Sequence, residues 1–213
     1  MRNSETRRER SNLLSLEQAW PIIGPHAEKL HDWLVDAWDW VQEILSQDDE
    51  RRATLDESTV AAMVYDRFVF LMKSGLSGNK KICLHSIGRM VRVRFRGGDN
   101  GDAVLRLKKF DSRLRSRNIA TLNQEKIYFQ NFTFEGMADK PTNITFGYVT
   151  DLSGTSLKGV YLTCPISFAR NKWSKQLSGI DDTGSLVYDP SRFGEPLFAP
   201  VLGKKKKAEG QWN

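Results

Sequence analysis

Cysteine is nearly absent from this chain of 213 residues: Cys83 and Cys164 are the two present, far apart and in no repeated spacing. That excludes a disulfide-dense secreted scaffold and a zinc ribbon, and buried free thiols are the expectation. Histidine is as scarce, with His26, His31 and His85 alone, so neither a histidine-rich metal centre nor any cofactor site is expected. No run approaches the roughly 18–20 apolar residues of a membrane helix, and no membrane partner is expected. The opening MRNSETRRERSN is basic with no apolar stretch behind it, which points away from a secretory leader and toward the cytoplasm. Proline (7) and glycine (16) are too few for a collagen-like or low-complexity chain.

Apolar bulk, by contrast, is ample. Eleven Phe, six Trp, five Tyr and five Met accompany a hydrophobic fraction of 39%. Residues 1–13 are polar and read as a flexible arm. Residues 14–78 read as helical. Leu30, Trp33, Leu34, Ala37, Trp38, Val41, Ile44 and Leu45 recur on one face of a helix over about 26–47, after the Gly24-Pro25 start signal. A second helix is predicted from the cap Asp56, turning Val60, Val64, Phe68, Leu71 and Met72 inward and ending at Gly75 and Gly78. Trp20 and Trp40 fall off the apolar face and are candidate contact residues.

Residues 79–180 change texture. Met90–Arg96 alternates with period two, Gly97–Gly101 is a turn, and Ala103–Lys108 returns as the second arm of a hairpin. A short helix is predicted near 122–131. Strands follow over 143–150 and 157–164 around the turn 151–156, with another near 168–177. Residues 181–213, ending in Lys204–Lys207, read as an extended basic tail. The predicted fold class is α+β: a helical N-terminal half packed on a mostly antiparallel sheet of four or five strands, in one compact domain.

Charge is distributed in blocks. Over 26–66 eleven acids face three bases, a balance of −8; over 80–118 twelve bases face three acids, a balance of +9. Alternation puts Arg92, Arg94 and Arg96 on one strand face, with Arg106 and Lys108 on the same face of the partner strand. Like charges across strands are destabilising by about 0.2–1 kcal/mol per pair, so counter-charges are expected. The sources are the chain's own acidic helices, an acidic protein, or nucleic acid. Arg92, Arg94, Arg96, Arg106, Lys108 and Arg113 are the candidate binding surface.

Catalytic signals are sparse. Cys83 and His85 place a thiol and an imidazole on one side of an extended segment, a possible nucleophile pair without an evident orienting group. Asp102 and Asp111 near Lys108 suggest a metal-dependent nuclease, but Arg106 stands where such a site wants a carboxylate, and both acids suit turns. The hairpin glycines lack the strand–loop–helix context of a phosphate loop.

Two stretches, VLRLKKFDSRLRSRNIAT (104–121) and GYVTDLSGTSLKGVYLTCP (147–165), resemble bacterial, plasmid and phage proteins associated with helix-turn-helix regulators fused to ImmA/IrrE-type metallopeptidases. The matching pieces are Leu105-Arg106, Lys108-Lys109, Arg115 with Asn118-Ile119, Gly147-Tyr148 and Thr163-Cys164-Pro165, about a third of the chain. The resemblance implies a toxin-like or partner component of a toxin–antitoxin or phage-defence module, held by a cognate regulatory protein. It transfers no active site. The residues alone leave open a nucleic-acid-binding protein or nuclease using the same face.

Overall fold

Ser15 and Gln18 cap each other: the Gln18 N–H donates to Ser15 Oγ at 3.3 Å, and the Ser15 N–H to Gln18 Oε1 at 2.9 Å. They start helix α1 (Leu16–Ile23). The computed structural model describes residues 12–76, 78–87, 90–116, 121–133 and 141–177. A tight 3-10 turn over Gly24–His26 leads into α2 (Ala27–Ser46), which buries Leu30, Leu34, Ala37, Trp38, Val41 and Leu45. Asp48 caps the short α3 (Asp49–Thr54). Asp56 accepts the Thr59 N–H at 2.7 Å and starts α4 (Glu57–Gly75), whose Val64, Phe68 and Met72 are buried.

Six strands follow in one sheet, arranged in chain order: β1 (Ile82–Ile87), β2 (Met90–Phe95), β3 (Ala103–Lys109), β4 (Thr142–Thr150), β5 (Leu157–Pro165) and β6 (Asn171–Gln176). All neighbours are antiparallel except β3 and β4, which are parallel. A parallel pair needs a long crossover, and the chain between β3 and β4 carries helix α5 (Leu122–Tyr128). The hairpin turn between β2 and β3 holds Gly98 and Gly101 at φ of 59° and 83°, a region that side chains with a Cβ rarely enter.

One sheet face packs on the helices. Val93, Phe95, Leu105, Ile144, Phe146 and Tyr148 join Leu34, Val41, Phe68 and Met72 in a single core. Ring contacts tie the layers, with Phe68 5.4 Å from Phe146 and Trp38 5.7 Å from Tyr148. Trp173 packs against the same core from the edge strand β6, its Nε1–H donating to the Leu14 carbonyl at 3.0 Å.

The α+β class stands, with two differences of detail. The sheet has six strands rather than four or five, because Ile82–Ile87 pairs with β2 as an edge strand. Its sequence ICLHSI has few β-branched residues and no charged alternation to mark it. Leu13, the last residue of the expected arm, is buried, and its carbonyl accepts from Lys172 Nζ at 2.8 Å. Residues 1–11 of that arm and the tail over 181–213 lie outside the described residues.

Candidate anion-binding face

The sheet's second face is built by register. Arg94 pairs with Val104 across β2 and β3, and Arg106 and Lys108 pair with Thr145 and Gly147 across β3 and β4. On β1, Cys83 and His85 stand opposite Arg94 and Arg92. Extending the β2–β3 register one residue sets Arg92 opposite Arg106. The alternation over 90–96 and 103–108 dictates this outcome, since Val91, Val93, Phe95, Leu105 and Leu107 take the helix side.

This face is partly roofed. Ile127 of α5 and Phe132 form a small apolar cluster with Val104. Beneath it Arg92 and Arg106 are 3% and 7% exposed. The Arg92 guanidinium lies 3.8 Å from the Phe132 ring centre, and that of Arg106 lies 4.8 Å from the Tyr128 ring centre. Arg106 Nε donates to Thr145 Oγ1 at 3.2 Å and Nη1 to Gln124 Oε1 at 2.7 Å. Its Nη2 is buried with no hydrogen-bond acceptor among the described residues.

The charges perturb one another. Burial, then the Arg106 guanidinium, pulls Arg92 down to about 10, so it stays charged at neutral pH. Burial also lowers Arg106. Lys108, half-buried, is lowered to about 8 by burial first and then by Arg106 and Arg92. His85 is lowered by burial and by Arg94. Arg92, Arg106 and Lys108 therefore form one electrostatically linked cluster.

The other predicted residues lie differently. Arg94 is clasped by Asp102, with Nη2 and Nε at 2.5 and 2.7 Å from Oδ2, while Oδ1 accepts the Gly97 N–H at 3.2 Å. Arg96 and Arg113 are exposed. Asp111 Oδ1 accepts the backbone N–H groups of Arg113 and Arg115, both at 2.9 Å, and Oδ2 pairs with the Arg115 guanidinium at 3.2 Å. Lys109, on the helix side, pairs with Glu57 of α4 at 2.9 Å, a link between the acidic helices and the basic hairpin. The structure thus splits the six cations into a buried pair, a clasped one, a half-buried one and two at the surface.

Sequence reading missed Gln124, Tyr128, Phe132 and Thr145 as neighbours of the arginines. The closely spaced Phe129, Phe132 and Phe134, too dense for one helix face, were the available signal for an aromatic roof. Among the described residues no group of three or more His, Cys, Asp and Glu side chains is placed to hold a metal ion, and no helix is long and apolar enough to cross a membrane. No protein-family model matches the chain, and neither a curated protein nor a solved structure matches it significantly.

Proposed function

We propose that this chain is a cytoplasmic partner-binding component of a bacterial toxin–antitoxin or phage-defence module, with its basic hairpin face taking an anionic partner. The observation that carries the anionic part is the gathering of Arg92, Arg106 and Lys108, close enough for the two guanidiniums to help lower Lys108 to about 8. An anion near this cluster relieves the repulsion and restores the lysine's affinity for its proton. Arg96 and Arg113, both exposed, extend the positive surface to where a macromolecule can reach it. The module itself rests on the resemblance of residues 104–121 and 147–165. A toxin-like protein held by a cognate regulator fits such a face, because a regulator's acidic surface supplies complementary charge.

The nucleic-acid reading shares the exposed arginines. Its nuclease form is the less supported, since Asp102 and Asp111 each already hold an arginine.

A salt series decides between them. Labelled duplex DNA, single-stranded RNA and a polyglutamate peptide are titrated against the protein and its Arg96→Ala/Arg113→Ala variant. Phosphate contacts give a slope of log affinity on log salt of about −0.9 per neutralised phosphate on duplex DNA and about −0.7 on single strands. Binding of the acidic peptide alone, weakened in the variant, is the expected result. Nucleic-acid binding with a steep slope that flattens in the variant moves the assignment to the alternative. No binding of any probe at low salt sinks the anion-binding reading altogether.

A further inference from the structure

Beside the hairpin turn lies an open cavity of about 630 Å³. Its apolar lining includes Ile22 of α1, Ile82 of β1 and Phe95 of β2, and its polar lining includes His26, Lys81 and Arg96. None of its lining residues is acidic, although the adjoining helices are rich in carboxylates. The half-buried His26 ring borders the space and lies against the buried Phe95 ring behind it, with centres 5.5 Å apart. Burial and the neighbouring Lys29 lower the His26 pKa from its ordinary value, which favours the neutral ring at pH 7. The two charged side chains, Lys81 and Arg96, are exposed and adjacent: the Arg96 N–H donates to the Lys81 carbonyl at 3.0 Å.

The walls are held in place. Asp102 grips both Arg94 and the Gly97 N–H, fixing the turn to the strand below. Gly97 packs so closely that a Cβ there would meet Ile22 Cδ1 at 2.5 Å and the Gly101 carbonyl oxygen at 2.0 Å. The turn is therefore seated directly on α1. A preformed cleft with an apolar floor and a few placed polar groups is the usual form of a small-molecule site, at roughly 300–1,000 Å³.

We infer that this cavity is a binding site for a small ligand with a flat apolar body and one anionic group, a carboxylate or a phosphate. The body lies against Ile22, Pro21, Pro25 and the His26 ring, above the buried Phe95 and Ile82, and the anionic group meets Arg96 and Lys81. The site goes beyond the partner-binding face and does not depend on it, because the two share Arg96 alone.

The test uses anilinonaphthalene sulfonate fluorescence on the full chain, with competition by naphthoate, naphthyl phosphate and the neutral naphthyl methanol. Both anions are expected to displace the probe at least about tenfold better than the alcohol, given the greater strength of charge-assisted hydrogen bonds. Their ratio tells carboxylate from phosphate. Lys81→Ala/Arg96→Ala is expected to remove that preference with an unchanged unfolding midpoint, and Ile22→Trp to block the probe. Equal competition by the alcohol, or an anion preference that survives the double variant, overturns the assignment. Arg113→Ala separates the two proposals: it lies outside the cavity, so it weakens partner binding and leaves the probe unaffected. Failure of all macromolecular binding beside intact probe binding removes the first reading only.

Discussion

Lys108 reports the electrostatics of the second sheet face. Its pKa falls from 10.5 to about 8, so between those values the folded chain binds fewer protons than the unfolded one. Stability attributable to this group therefore rises with pH from about 8 to 10.5, and the penalty is complete below about 8. The whole span is at most about 3 kcal/mol. Lys108→Met, which keeps the stem and drops the charge, is expected to be more stable than the parent at pH 7 and to lose that slope. Urea midpoints across the pH range measure it, and parallel profiles for the two proteins would show that the three cations do not strain the fold. The cysteines give a second residue-scale test. Burial pushes the Cys164 thiol up to about 12, whereas Cys83 is half-buried on the edge strand. Dithiobis-nitrobenzoate is expected to label Cys83 alone in the native protein and both thiols in denaturant; fast native labelling of Cys164 contradicts the packing described.

Among the elements, the segment after α5 is fastened to the sheet by the Gln130 amide as well as by the packing of Phe132. Gln130, buried and at a φ of 60°, donates from Nε2 to the Asn143 and Pro165 carbonyls at 2.8 and 2.6 Å, and its Oε1 accepts the Asn143 N–H at 2.7 Å. Gln130→Ala removes the amide's bonds to three buried backbone groups, at about 1–3 kcal/mol for each group left unsatisfied. A loss of about 3 kcal/mol or more in denaturant unfolding is expected, and a loss under about 1 kcal/mol would show that water replaces the amide freely. This clamp also marks the limit of what the sequence discloses. Helices α2 and α4 were legible because their apolar spacing and the Asp56 cap act locally. Strands β2 and β3 were legible because charge and bulk alternate strictly along them. The shared face of Arg92, Arg94, Arg106 and Lys108 followed from that same alternation. The roof over it did not: Phe132 meets Arg92, and Gln124 meets Arg106, across a crossover whose path no local pattern specifies. The edge strand β1 escaped for the opposite reason, having a regular partner and a nondescript sequence.

At the scale of the whole molecule, the layers separate charge. Helix α2 turns its apolar side to the sheet, which leaves Asp32, Asp36, Asp39 and Glu43 exposed, with Asp66 of α4 exposed as well. The sheet's other face carries cations, with Arg96 beside the hairpin turn, and Lys109–Glu57 and Arg94–Asp102 neutralise only part of the opposition. A formal charge of +6 therefore understates both surfaces. At about 20 mM salt the screening length is between the roughly 10 Å of 0.1 M and 30 Å of 0.01 M, shorter than a domain's span, so a resin senses the nearer layer. The protein is expected to be retained at pH 7 on an anion exchanger as well as on a cation exchanger. Asp32→Asn/Asp36→Asn/Asp39→Asn is expected to weaken the first retention while leaving the second at least as strong. Flow-through of the parent on the anion exchanger would mean that the acids are offset at the surface by nearby cations. The two-sided layout would then no longer explain why so many arginines share one face of the hairpin.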